Sequence, residues 1–289
     1  METGSTRELT LPRWYDWGTA VLAMQRTVAV PGEVIDTEAG VLSWARRTTS
    51  GDIGIVTVRP SGKPGSVAVE SDGDGDRTER QVRRRLHLEL GDAEVTDVVE
   101  RSAYAPLPAD AMPFRIPSAV SPWAFCLTYL SGGSATHDFT RRLFEIGEHR
   151  GNLMLPPTPA QFADLTQSEV EDTGVIAPRA RALLQVASAF ATDPDLDDPE
   201  EFGSLPAEEA VRLVRDLPRL GRTRAPHLAA LAWGHHDVAY DPYSLLGAGR
   251  RSPAQQAEMS DAFQRAAPWR SVLADTICVE LIGEGAGDR

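Results

Sequence analysis

The feature that most constrains this chain is a change of hydrophobic period partway along it. Up to residue 71 the apolar residues alternate with polar ones, and beyond residue 121 they recur three and four apart. A strand buries every second side chain and a helix buries one stripe, so a segment written for one period cannot hide its apolar set in the other. Residues 40–47, 53–59 and 66–71 read as strands, with Ser61-Gly62-Lys63-Pro64-Gly65 as a turn between the last two. Residues 27–30 read as a further strand ending at Pro31-Gly32, and residues 18–26 and 78–86 as flanking helices. The expectation is an α+β chain, with a small mixed α/β-sheet domain over residues 1–105 and an all-helical domain over 106–289.

The two halves meet in a helix over 94–101 and a crossing punctuated by Pro106, Pro108, Pro113 and Pro117. Proline removes a backbone donor and fixes φ, so this stretch reads as an extended strap. The helical half then reads as helices over 122–130, 139–149, 178–191, 207–216, 222–234, 253–266 and 269–281, with Thr158-Pro159 opening another. Residues 207–234 form a helix pair around Leu217-Pro218-Arg219-Leu220-Gly221. Such a turn can point backbone N–H groups outward at a helix N-terminus, an arrangement suited to one phosphate. Arg222 and Arg224 would add charge beside it. The alternative is an ordinary tight helical hairpin.

The net charge of −13 argues against a nucleic-acid partner, since phosphate contacts supply most non-specific affinity. But the acids cluster over 70–76 and 193–201, and binding depends on local fields. Cys126 and Cys278 are isolated, which makes neither a disulfide framework nor a metal cage. No apolar run is long enough for a membrane span, and the first residues lack the pattern of a signal peptide, so a cytoplasmic protein is expected.

Several motifs lie in the order of one known family. Tyr15-Asp16-Trp17, residues 81–88, Thr158-Pro159-Ala160-Gln161, residues 174–183, the 217–225 hairpin and Pro268-Trp269-Arg270-Ser271 together resemble the helix-hairpin-helix DNA glycosylases of the alkylation-repair branch, the 3-methyladenine DNA glycosylase II type. The resemblance spans roughly residues 12–283. It implies a helix-hairpin-helix glycosylase bundle after the sheet domain, and base-excision DNA repair by a monomer acting on double-stranded DNA. The damaged, alkylated nucleotide would be flipped out of the stack and its N-glycosidic bond hydrolysed without metal or cofactor. By the same resemblance Arg219, Leu220, Gly221, Arg222, Thr223 and Arg224 would hold a DNA phosphate, and Asp241 would be the catalytic carboxylate that stabilises an oxocarbenium-like sugar. Some relatives also nick the strand through a lysine, but the sole lysine here is Lys63, so the expected enzyme is monofunctional.

The chain departs from that family where the base would sit. The family's first hairpin glycine is Arg219, its Gly-Gln segment corresponds to Gly132-Gly133, and its wedge position is Ser134. Aromatic positions of the family fall on Thr223, His227 and Cys278-Val279. The remaining candidates for a base pocket are Tyr129, Gly133, Ser134, His137, His227 and Tyr240. Asp241-Pro242 is also an ideal helix cap, and the segment is one residue shorter than in close relatives, a register that sets a proline at the aspartate position. Two readings therefore stand: a monofunctional glycosylase, or a non-catalytic DNA-binding or structural relative that keeps the fold.

Overall fold

The structure is a computed structural model that describes residues 4–48, 50–108, 110–132, 138–198, 202–246 and 251–287, with the side chains of Glu94, Arg222, Thr223 and residues 283–287 outside the described set. The alternating segments form one antiparallel sheet. Its strands are β1 (Ser5–Thr10), β2 (Glu33–Asp36), β3 (Val41–Arg47), β4 (Ile53–Pro60) and β5 (Ser66–Ser71), in the order β1-β5-β4-β3-β2. The register aligns Leu42, Val58 and Val69 in one row and Trp44, Val56 and Ser71 in the next. All six are buried, which is what a period of two requires when one face is covered. Helices α1 (Trp17–Thr27) and α2 (Gly75–Arg85) lie against the sheet.

The valines at 28 and 30 do not make a strand. The N–H groups of Val28 and Ala29 both turn back to the carbonyl of Met24, closing the end of α1, while Val28 and Val30 are buried. Their β-branched character serves packing at a helix exit, and the strand forms three residues later.

Helix α3 (Asp92–Ser102) leads into the proline-rich strap. Donors that its prolines leave bind the neighbouring elements. Phe114 N–H donates to Thr276 Oγ1 (2.9 Å), Ile116 N–H to Asp275 Oδ2 (3.0 Å), Ser118 N–H to the Arg85 carbonyl (2.9 Å) and Ala119 N–H to the Leu231 carbonyl (2.9 Å). The strap is thereby threaded between α2 and two helices of the C-terminal half.

The helical half contains α4 (Pro122–Ser131), α5 (Asp138–Glu145), α6 (Pro159–Ala163), α7 (Gln167–Asp172), α8 (Ala177–Thr192), α9 (Ala207–Asp216), α10 (Gly221–Leu231), α11 (Pro242–Leu246), α12 (Pro253–Ala266) and α13 (Arg270–Gly287). Their starts are written locally. Ser121 caps α4, and Thr158, Thr166 and Ser252 form capping boxes with Gln161, Glu169 and Gln255. The expected helix over 139–149 stops at Glu145, and a short hairpin follows, β6 (Glu148–Arg150) with β7 (Leu153–Leu155). A Cβ at Gly147 would fall 2.1 Å from the Leu155 carbonyl oxygen, so the return of the chain admits only glycine there. β7 then lies against β2 and β3, bringing the helical half to the sheet. One continuous hydrophobic cluster runs from Leu9 to Ile282. No helix among the described residues is long and apolar enough to cross a membrane.

Candidate nucleic-acid interface

The turn between α9 and α10 has two residues in the left-handed region, Arg219 at φ +62° and Gly221 at φ +58°. Between them Leu220 is right-handed, and Leu217 before the turn is extended. Leu217 and Leu220 are buried and anchor the turn, while Arg219 is exposed. Arg219 stands where the resembling family has glycine, and its backbone adopts the conformation that explains that glycine. An L-residue in this region costs about 1–2 kcal/mol. The N-cap Leu220 supplies no side-chain acceptor to α10, so the first amides of that helix are not capped from the turn. That geometry is suited to an anion.

The guanidinium of Arg224, on the first turn of α10, lies 5.4 Å from the ring centroid of Tyr129 at the far end of α4. Burial raises the Tyr129 phenol above its ordinary value, and Arg224 partly offsets this. A candidate phosphate ligand and a candidate base contact are thus neighbours, although 95 residues separate them in sequence. Arg179 approaches the same end of α4, but its Nη1 donates to the Ser131 carbonyl (2.6 Å) and closes the helix C-terminus.

Pro226 lies inside α10, and the next residue, His227, is buried with its Nε2 2.9 Å from the backbone oxygen of Asp241. This contact ties the start of α11 to the hairpin helix. The Asp241 carboxylate caps α11: Oδ1 accepts from the N–H groups of Tyr243 (3.1 Å) and Ser244 (3.3 Å). The same oxygen pairs with Arg251 Nη2 at 2.8 Å, and the Arg251 guanidinium sits 4.6 Å over the Tyr243 ring. All three contacts fall on Oδ1, and the Asp241 side chain remains 39% exposed. One carboxylate therefore serves as helix cap and ion-pair partner while still facing solvent.

Tyr240 points the other way. Its hydroxyl donates to Asp275 and lies 3.7 Å from Cys278 Sγ, and its ring is 5.2 Å from that of His227. Burial and the Asp275 carboxylate hold its phenol well above the ordinary value, so it stays protonated. His227 and Tyr240 have interior partners, and of the base-pocket candidates among the described residues Tyr129 is the one that is only partly buried. Gly133, Ser134 and His137 lie outside the described residues. Lys63 is on the turn between β4 and β5, paired with Glu8 at 2.6 Å.

The adjacent His235-His236-Asp237 segment is held by packing. His235 Nε2 meets the Leu205 carbonyl (2.9 Å), and Asp237 takes a forked pair from Arg270 (2.8 and 3.1 Å). Among the described residues no group of three or more His, Cys, Asp or Glu side chains is placed to hold a metal ion. The group that sequence reasoning missed is Arg115 with Asp275, an ion pair fully buried beneath Tyr240. An arginine between two prolines of an extended strap was the available signal, since such a segment has little reason to carry a charge unless the charge has a partner.

No protein-family model and no curated protein sequence matches the chain. Among solved structures, 3-methyladenine DNA-glycosylase from Archaeoglobus fulgidus superposes with a TM-score of 0.71 at 13% identity, covering 94% of this chain and 97% of that one. The Clostridium acetobutylicum 8-oxoguanine glycosylase/lyase, in complex with double-stranded DNA containing cytosine opposite 8-oxoguanine, gives 0.61 at 12% identity over 99% and 100%. MBOgg1 in complex with a low-affinity DNA ligand gives 0.62 at 12% over 98% of each chain. From end to end, the fold is that of the helix-hairpin-helix DNA glycosylases.

Proposed function

We propose that the chain is a base-excision DNA glycosylase: a monomer that binds double-stranded DNA through the α9–α10 hairpin and hydrolyses the N-glycosidic bond of a flipped, damaged base. The observation that carries this reading is the 2.9 Å contact between His227 Nε2 and the backbone of Asp241. It ties the Asp241 backbone to the helix whose N-terminus would receive the phosphate, and in this reading one DNA strand touches both. In this reading Asp241 stabilises positive charge on the departing sugar through the oxygen that its cap does not occupy. Arg219, Arg224 and the first amides of α10 fix the backbone, with Arg222 and Thr223 at the same turn. Tyr129 faces the base. An alkylated base is the favoured substrate, because the sequence motifs resemble those of the alkylation-repair branch. With Lys63 on the sheet, the reaction is monofunctional and ends at the abasic site. A reducing cytoplasm fits the two unpaired cysteines.

A specific observation favours the second reading, a DNA-binding relative without the chemistry. Arg251 already neutralises Asp241, and a carboxylate paired with a guanidinium is a weaker stabiliser of a cationic sugar. The test is release of free base from alkylated duplex DNA by the wild type and Asp241→Asn. The substitution keeps the cap and removes the charge. Release by the wild type and at least a hundredfold less by Asp241→Asn, with equal DNA affinity, supports the enzyme. Equal release by both removes Asp241 from the mechanism. Absence of release by the wild type, with DNA binding intact, selects the second reading.

A further inference from the structure

A cavity of about 370 Å³ opens between the sheet and the helical half, beside Trp123 at the first turn of α4. Tyr129 lies six residues further along that helix, about 9 Å along its axis, so the cavity is separate from the hairpin surface. Five arginines line it, Arg46, Arg47, Arg77, Arg84 and Arg85, against two carboxylates, Glu33 and Asp197. Arginines outnumber carboxylates in this lining although the chain carries a net charge of −13.

The arginines differ in what they already hold. Arg47 is forked by Glu148 at 2.6 and 3.2 Å. Arg85 is 5% exposed, donates its Nε to the Ser118 carbonyl (3.0 Å) and pairs through Nη2 with Glu33, while its Nη1 is buried with no hydrogen-bond partner among the described residues. A buried guanidinium nitrogen left without an acceptor is costly, so its presence at a cavity wall calls for a ligand oxygen. Arg77 and Arg84 stand at the mouth on α2, and Arg84 is 3.9 Å from Asp198. The remaining wall is apolar and partly aromatic. Trp44 lies 4.7 Å beneath the Arg85 guanidinium, and Trp123 and Met154 face the same space. β7 closes the side, where a Cβ at Gly32 would fall 2.1 Å from the Met154 carbonyl oxygen.

We infer that this cavity is a second ligand site, for a small phosphate-bearing molecule with a flat ring, of nucleoside monophosphate size. The ring would lie against the apolar wall beside Met154, and the phosphate between Arg84 and Arg85. Guanidinium forks suit phosphate oxygens, and a volume near the lower end of the ligand-site range of about 300–1,000 Å³ takes one such molecule. The inference is independent of the hairpin reading.

Calorimetric titration of the full chain with deoxyadenosine monophosphate tests it, with deoxyadenosine, inorganic phosphate and a short DNA duplex as the comparison ligands. The expected result is one saturable site for the monophosphate, with deoxyadenosine and phosphate each at least tenfold weaker. Arg84→Ala should lose at least tenfold in affinity for the monophosphate. Arg83→Ala, beside it on the same helix but paired with Glu79 and outside the cavity lining, should not change it. Duplex affinity should be the same in the wild type and both variants. Failure of the monophosphate to bind overturns the proposal. So does equal weakening of duplex binding by Arg83→Ala and Arg84→Ala without monophosphate binding, which would make α2 a track for the polymer.

Discussion

Arg115 and Asp275 form an ion pair in which neither side chain has any exposure to solvent. Asp275 also accepts from the Tyr240 hydroxyl and the Ile116 amide, and Arg115 Nη2 donates to the carbonyls of Ala230 (3.1 Å) and His235 (3.0 Å). The pair joins the strap, the end of the hairpin helix, the loop before Asp241 and the last helix at one point. It fixes the floor on which the Asp241 segment rests.

Removing one partner should therefore be severe. Asp275→Ala leaves a buried guanidinium, a phenol and an amide without their acceptor, and breaking such a pair costs about 3–5 kcal/mol. Urea unfolding at neutral pH measures it. A loss under about 1 kcal/mol would mean that the pair is not closed in solution.

Arg219 holds a left-handed backbone that glycine adopts freely. Arg219→Gly should stabilise the chain by up to about 1 kcal/mol, because relief of the side-chain clash is partly offset by the greater freedom of glycine when unfolded. The urea midpoint should rise with an unchanged slope. A fall would show that the arginine side chain makes contacts that outweigh its backbone strain.

If the hairpin is the DNA contact, Arg219→Ala with Arg224→Ala should weaken duplex binding uniformly across sequences. It should also flatten the dependence of log K on log salt by about one unit per lost phosphate contact. Fluorescence anisotropy between low and moderate salt reads both. An unchanged slope would place the contact elsewhere.

Asp197 accepts from the Trp123 amide and the Ser121 hydroxyl, both at 2.9 Å, at the first turn of α4. Burial raises its carboxyl to about 6, above the usual carboxylate range. The folded chain then holds a proton that the unfolded chain releases near pH 4, so this group lowers stability as pH rises from about 4 to about 6 and contributes no further change above that. In Asp197→Asn this component should vanish. Unfolding free energies of the two proteins should diverge in favour of the variant as pH rises from 4.5 to about 6 and keep a constant gap from there to 7.5. Parallel curves would show that Asp197 titrates normally.

Much of the local structure was legible because it depends on near neighbours. The alternation at 40–47 and 53–59 became β3 and β4, and Thr158-Pro159 opened α6 with its capping box. The readings that departed were those in which tertiary partners overrode local preference. Val28 and Val30 went to a helix exit, and residues 148–150 left a helical pattern to pair with β7. At the candidate site the hairpin was readable from Leu217, Leu220 and Gly221. The pairing of Asp241 with Arg251 was not, because nothing in Asp241-Pro242 distinguishes a free cap from one that also holds a guanidinium.

By itself the sequence determined the α+β class, the helix starts and the hairpin turn, since period, caps and left-handed positions are properties of a few consecutive residues. Only the tertiary structure decided which charges meet. Arg115 and Asp275 lie 160 residues apart, Arg224 and Tyr129 belong to different helices, and the five arginines around the cavity come from two elements brought together by chain closure. A charge in a sequence carries no mark of its partner. Whether it is solvated, buried in a pair or left facing a cavity is set by the desolvation and contact energies of the packed chain.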